Sequence, residues 1–70
     1  MTDFRPVSSS TIHSIAYDDE RGVMTVRFHR GPPYEYDAPK DVHDRLLAHE
    51  SPGRFLHHEV KGRFRHRRIG

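Results

Sequence analysis

The feature that most constrains the fold is a stretch of alternating residues at positions 23–30. Met24, Val26 and Phe28 are apolar, and the residues between them are polar or charged. Because side chains alternate between the two faces of a strand, this pattern predicts a β-strand with one buried face. Such a strand needs neighbouring strands and a layer that covers its apolar side.

The preceding segment, residues 11–17, predicts another strand. Ile15 and Tyr17 share one face of it, but Ile12 has the opposite parity. We therefore expect a β-bulge near Ser14, or a strand that starts later, because one extra residue restores the alternation.

Turns on both sides of residues 23–30 predict a meander. Gly22 ends the first turn, since glycine adopts positive φ without steric cost. Residues 31–33, Gly-Pro-Pro, turn the chain into a third strand at residues 34–37. Pro33 has no amide proton to donate, so we expect this third strand at an edge of the sheet. The result is a three-stranded antiparallel meander in which residues 23–30 are central.

Two helices are predicted after the strands. Pro39 suits the first turn of one helix, and Ser51 followed by Pro52 is typical of the start of the other. Their apolar residues are Val42, Leu46, Leu47, Phe55, Leu56 and Val60. The predicted fold class is α+β, in the order β-β-β-α-α, with both helices packed on one face of the sheet.

The length of the chain limits it to one domain with a thin core. Of its 70 residues, 33% are hydrophobic and 31% charged, and a core of this size supplies about 3–5 kcal/mol of net stability. We expect the domain over residues 9–66, a flexible arm over residues 1–8 and a basic tail over residues 67–70. No apolar run approaches a membrane span or a secretory leader, so we expect a cytoplasmic protein with no membrane contact.

Charge is distributed unevenly along the chain. Residues 1–53 carry six Lys or Arg against nine Asp or Glu, a net charge of −3, whereas residues 54–70 carry six against one, a net charge of +5. A basic end on an acidic body predicts contact with a polyanion; a solvated tail in an Arg-rich chain is the alternative. The cations of the basic end are Arg54, Lys61, Arg63, Arg65, Arg67 and Arg68.

The end of the second helix decides how some of these cations are arranged. A helix continuing to residue 65 would align a basic stripe of Arg54, His58, Lys61 and Arg65. Glycine favours helix ends, so we expect Gly62 to end or fray the helix before the stripe is complete.

No catalytic or metal-binding arrangement is predicted. The chain has no cysteine, which excludes disulfides and thiolate metal sites. Residues 57–59, His-His-Glu, resemble part of a metalloprotease helix, but Gly62 stands four residues after His58 where the second histidine is needed. The serines at 8–10 lack a nucleophile-elbow motif. We expect no enzyme activity, no cofactor and no metal, and scattered surface positions for the seven histidines.

Tyr34 and Tyr36 are the most informative residues for function. They must share one face of the third strand, with Glu35 on the other face. The two rings either fill the core under the helices or lie on the opposite face, where they would stack on bases. We expect Tyr36 to be buried with its hydroxyl bound to a polar partner, and Tyr34 to keep its ring partly exposed.

A set of motifs in fixed order spans residues 7–69. It comprises Ser9, Ile15-Ala16-Tyr17-Asp18, Val26-Arg27-Phe28, Gly31, Tyr34-Glu35-Tyr36, Ser51-Pro52-Gly53-Arg54-Phe55 and Val60-Lys61-Gly62-Arg63-Phe64. This set resembles the KTSC domain, a family named for its place at the C-terminus of some lysyl-tRNA synthetases and also found as small bacterial proteins. The family's hallmark is a Tyr-x-Tyr, matched here by Tyr34 and Tyr36.

The resemblance implies a small α+β domain and suggests RNA binding. Gly53 and Phe55 match a second family motif. His57, Val60 and Phe64 stand where the family often has Asn, Ile and Tyr, which leaves any binding role of that Asn or Tyr without a counterpart in this chain.

Two functions follow from these observations. In the first, the protein binds nucleic acid, RNA more than DNA, with the six cations of the basic end on phosphates and Tyr34 stacked on a base. In the second, it is a protein-interaction module that offers a sheet edge or an apolar patch and makes no contact with nucleic acid.

Overall fold

The computed structural model describes residues 3–70 and has the α+β fold that the sequence predicts. A single antiparallel sheet has the strand order β1-β2-β3-β4-β5. Its strands are β1 (Arg5–Pro6), β2 (Ile12–Asp18), β3 (Val23–Phe28), β4 (Tyr34–Tyr36) and β5 (His66–Arg68). The helices are α1 (Lys40–Ala48) and α2 (Pro52–Phe55), and α2 continues into a π-helical segment, Leu56–Val60.

The predicted number of three strands was wrong, because both ends of the chain add a short strand. β1 comes from the expected arm and pairs with β2, and β5 includes part of the expected tail and pairs with β4. Strands of two and three residues are too short to show alternation, so only the pairing partner reveals them.

The expected edge position of residues 34–37 was also wrong. β4 lies between β3 and β5 and is hydrogen-bonded on both sides. Pro33 precedes the first residue of β4, so its missing amide proton costs no ladder bond, and its carbonyl accepts the N–H of Ile69 at 3.1 Å.

The predicted bulge is confirmed. Ile12 stands opposite Phe28, Ser14 stands opposite Arg27, and the register shifts between them. The extra residue turns both Ile12 and Ile15 into the core. The tight turn before β3 is confirmed as well, with Gly22 at φ 67°.

Both helices cover one face of the sheet, as predicted. The buried core consists of Ile12, Ile15, Met24, Val26, Tyr36, Ala38, Val42, Leu46, Phe55, Leu56 and Val60. Strand and helix residues contribute to this one cluster, so the molecule has a single layer of apolar side chains between sheet and helices. Within residues 3–70, no helix combines the length and the apolarity needed to cross a bilayer.

The start and end of the helices follow local sequence. Ser51 caps α2 with Pro52 at its first position, although the Ser51 side chain forms no capping hydrogen bond, and Pro39 lies at the cap of α1 rather than in its first turn. The N–H of Lys61 donates to the Leu56 carbonyl at 2.9 Å, five residues back, which widens the last turn.

The basic stripe considered from the sequence does not form. The helix ends at Val60, and Gly62 then takes φ 82°, a left-handed conformation that no helix continues. Arg65 therefore lies beyond the helix, on the approach to β5.

A buried carboxylate lies on the face of the sheet away from the helices. Glu35 is 6% exposed and accepts two hydrogen bonds from Arg21, at 2.8 and 3.0 Å, and one from Arg67 at 3.0 Å. Arg67 also binds Asp37 at 3.1 Å. Hydrogen bonds and charge from Arg21, and then from Arg67, outweigh burial and lower the pKa of Glu35.

This lowered pKa predicts a pH dependence of stability. The unfolded chain takes up the proton at Glu35 at higher pH than the folded chain. The contribution of the Glu35 charge to the free energy of unfolding is therefore complete above the pKa of the unfolded chain, and it is lost as pH falls towards the pKa of the folded chain. We expect Glu35→Gln to cost about 1 kcal/mol of unfolding free energy at neutral pH, a low figure because both guanidiniums are half exposed.

Chemical denaturation between about pH 7 and about pH 3 measures this effect. The difference in unfolding free energy between the parent protein and Glu35→Gln should become smaller as the pH is lowered. Asp37→Asn, at an exposed carboxylate that forms an ion pair with Arg67, is the matched control and should cost less. A difference in unfolding free energy that stays constant down to low pH would show that Glu35 does not stabilise the fold through its charge.

Candidate functional site

The two tyrosines of β4 lie on the face of the sheet that the helices cover. Tyr36 stands opposite Met24 and Tyr34 opposite Val26, and both partners are in the core. Residues opposite each other in an antiparallel pair share a face. Tyr36 is 1% exposed and Tyr34 is half-buried, so the predicted burial of the two rings is confirmed. The alternative, both rings on the face away from the helices, was wrong.

A cavity of about 280 Å³ opens beside Tyr34. β3 and β4 contribute its wall on the sheet side, β5 contributes one ring, and the residue after the π-helical segment contributes a cation. We call this cavity the aromatic pocket, and its lining residues are Phe28, Tyr34, Tyr36, Lys61 and His66.

The aromatic rings of the pocket pack against one another. Tyr34 packs edge-on against Phe28, with ring centroids 6.3 Å apart and planes at 78°. His66 is inclined to both tyrosines, 5.8 Å from Tyr34 and 5.7 Å from Tyr36. Because each ring is held by its neighbours, the pocket presents preformed aromatic surface to a flat ligand.

Tyr36 brings a phenolic hydroxyl to the lining of the pocket. The ring is buried, yet among residues 3–70 no hydrogen-bond partner of the hydroxyl is found. In the same part of the chain, no fully buried side-chain oxygen or nitrogen lacks a partner, so this oxygen keeps a small accessible surface, on a residue that lines the pocket. The expected polar partner of the hydroxyl is not found among residues 3–70.

The environment keeps this hydroxyl protonated. Burial, and secondarily the neighbouring Tyr34, raise the pKa of Tyr36 above its usual value. At neutral pH the group is a phenol that can donate one hydrogen bond and accept others.

Five of the six cations predicted to bind phosphate lie on residues 61–68, the chain segment that borders the pocket, and four of these five, all except Arg67, have no ion pair among residues 3–70. Lys61 lines it, and Arg68 stands opposite Tyr34 on the same face of the sheet. Arg63 and Arg65 are exposed in the connection between them. Within residues 3–70, no carboxylate forms an ion pair with any of these four.

The other two predicted cations are placed elsewhere. Arg67 alternates with Arg68 along β5, so it lies on the opposite face, bound to Glu35 and Asp37. Arg54 lines a separate cavity with the serines at 8–10. The six residues therefore do not form one continuous surface.

The second family motif has a structural place. Phe55 is in the core, with the Arg45 guanidinium 5.5 Å from its ring centroid. Gly53 lies against the start of β2, where a Cβ atom would be 3.4 Å from Ser9 Oγ and 3.5 Å from Thr11. Both residues pack α2 against the sheet rather than line the aromatic pocket.

Sequence reasoning missed two residues of the pocket. Phe28 was expected in the core, and its position next to Tyr34 follows only from the register of β3 with β4. His66 enters through β5, which no pattern indicated. In residues 3–70, no three His, Asp or Glu side chains come together in a way that could hold a metal ion.

Comparison with known proteins identifies the family. The sequence model of the KTSC domain family matches residues 8–64 of this chain. A protein of Tsukamurella paurometabola is 45% identical over 52 residues, which cover 73% of this chain and 78% of the relative. A protein of Stutzerimonas stutzeri is 39% identical over 49 residues, 69% of each chain.

A solved structure agrees with this match. The crystal structure of a KTSC domain protein from Yersinia pestis superposes with a TM-score of 0.93, at 35% identity and over 100% of both chains. The chain therefore belongs to the KTSC domain family, as the sequence motifs indicated.

Proposed function

We propose that this protein binds single-stranded RNA through the aromatic pocket and the cations that border it. The observation that supports the proposal most is the pocket itself, in which Tyr34 offers a half-exposed ring beside Lys61 and Arg68. Single strands are bound by aromatic rings that stack on bases and by cations that follow the phosphates. The preference for RNA over DNA rests on the occurrence of the family in some lysyl-tRNA synthetases.

Each part of the pocket has a role in this proposal. Tyr34 stacks on one base, and stacking of this kind contributes about 1–3 kcal/mol. Lys61, Arg63, Arg65 and Arg68 contact the phosphates, whereas Arg67 is left out because its guanidinium is already bound. The role is binding without catalysis, in the cytoplasm, with no cofactor.

The salt dependence of binding tests the proposal. Four cations on a single strand predict a slope near −3 for log K against log salt. Fluorescence anisotropy with a labelled single-stranded RNA, a tRNA and a DNA duplex would measure it. We expect the single-stranded RNA to bind most tightly; no binding at low salt, or binding insensitive to salt, would contradict the proposal.

A matched pair of lysines sharpens this test. Lys61→Ala should make the slope of log K against log salt less steep by about 0.7, which is the contribution of one phosphate contact. Lys40→Ala is the control, because Lys40 is exposed at the start of α1 and lines a different cavity with Tyr17 and His43. Equal effects of the two substitutions would mean that only the overall charge matters.

The alternative, a protein-interaction module, has less support. The edge strands β1 and β5 are two and three residues long and offer little backbone for pairing with a partner strand. Within residues 3–70 the large exposed apolar side chains are Phe4 and Ile69, which flank opposite edges of the sheet and form no common patch.

A further inference from the structure

Tyr36, which lines the aromatic pocket, carries a hydroxyl with no hydrogen-bond partner among residues 3–70. Tyr17 shows how a tyrosine with a purely structural hydroxyl looks in this protein: its hydroxyl donates to the Ala38 carbonyl at 2.9 Å. The Tyr36 hydroxyl has no such partner among residues 3–70, although its ring is buried. A polar atom on a residue that lines a mostly aromatic cavity can form a hydrogen bond with the edge of a flat ligand.

The charge of the pocket indicates which edge of a nucleobase it would favour. The Tyr36 hydroxyl stays protonated and can donate, and Lys61 adds a positive charge within the lining. Two donors favour an edge that carries acceptor oxygens. Guanine and uracil present such carbonyl oxygens, whereas adenine and cytosine present an amino group at the corresponding position.

We infer that the aromatic pocket selects a single unstacked base that carries a carbonyl oxygen where adenine and cytosine carry an amino group, that is guanine (O6) or uracil (O4), through a hydrogen bond from the Tyr36 hydroxyl. This inference rests on the proposed function and adds base selectivity to it. Tyr34 stacks on a face of the base, Phe28 and His66 border it at an angle, and the size of the cavity limits the selective contact to one nucleotide.

Tyr36→Phe isolates the hydroxyl. The ring stays in the core, and no hydrogen bond found within residues 3–70 is lost, so the fold should be retained. The ligands are RNA heptamers of adenosine in which only the central nucleotide is changed to cytidine, guanosine or uridine. Anisotropy measures the dissociation constant of each heptamer. Tyr17→Phe is the control, since it removes a hydroxyl of the same chemistry outside the pocket.

For the parent protein we expect the guanosine or the uridine heptamer to bind about tenfold more tightly than the cytidine and adenosine heptamers. Tyr36→Phe should bring all four to similar affinities, and Tyr17→Phe should keep the preference. Equal binding of the four heptamers by the parent protein, or a preference that survives Tyr36→Phe, would overturn base selection and leave RNA binding intact. Binding of none of them at low salt would overturn both.

Discussion

Replacing Tyr36 by alanine is expected to unfold the protein. The side chain is almost completely buried between Met24 on β3 and His66 on β5. Removing a buried aromatic ring costs about 3–5 kcal/mol, through lost burial and the cavity left behind. A single core of this size provides about the same net stability, so little or nothing is left to hold the fold.

Thermal and urea denaturation followed by circular dichroism measure this effect. Tyr36→Phe is the matched control: it keeps the ring and should stay folded, with a change in unfolding free energy below about 1 kcal/mol. A cooperative transition of Tyr36→Ala near that of the parent protein would show that the ring does not support the core as described.

The central part of this fold was readable from the sequence because each signal was local. Alternation at Met24, Val26 and Phe28 predicted the buried face of β3. The parity conflict between Ile12 and Ile15 predicted the bulge that brings both into the core. These patterns depend on neighbouring residues, which a sequence shows directly.

The ends of the sheet were not readable, for a physical reason. β1 and β5 have two and three exposed residues, and what holds them is pairing with β2 and β4; the pairing of β5 with β4 spans about thirty residues of sequence. With β5 not predicted, Pro33 indicated that residues 34–37 form an edge strand. The pairing of β5 with β4 moves that strand to the interior and brings His66 to the tyrosines.

The charge pattern predicted the site only in part. A net charge cannot show that Arg67 and Arg68, adjacent in sequence, lie on opposite faces of the sheet. Arg67 joins the Glu35 network, whereas Arg68 stands opposite Tyr34. The register of β5 thus separates a cation with a structural partner from one that is available to a ligand.

Replacing Tyr34 by alanine is expected to remove most of the RNA affinity while the protein stays folded. The ring is half-buried at the margin of the core and forms one wall of the aromatic pocket, against Phe28 and His66. Loss of one stacked base costs about 1–3 kcal/mol of binding free energy, which is a weakening of about 5-fold to 150-fold. Tyr34→Leu keeps apolar volume in the core, so it should lose RNA affinity in the same way but destabilise the fold less than Tyr34→Ala.

The most direct test of the account is the affinity of the parent protein and its Tyr34 variants for one single-stranded RNA at low salt. Phe4→Ala is the control, because Phe4 is an exposed ring beside Arg27, away from the pocket. We predict that the parent protein and Phe4→Ala bind equally and that both Tyr34 variants, folded by circular dichroism, bind at least about fivefold more weakly. Equal affinity of the folded Tyr34 variants and the parent protein would contradict the assignment of the aromatic pocket as the RNA-binding site.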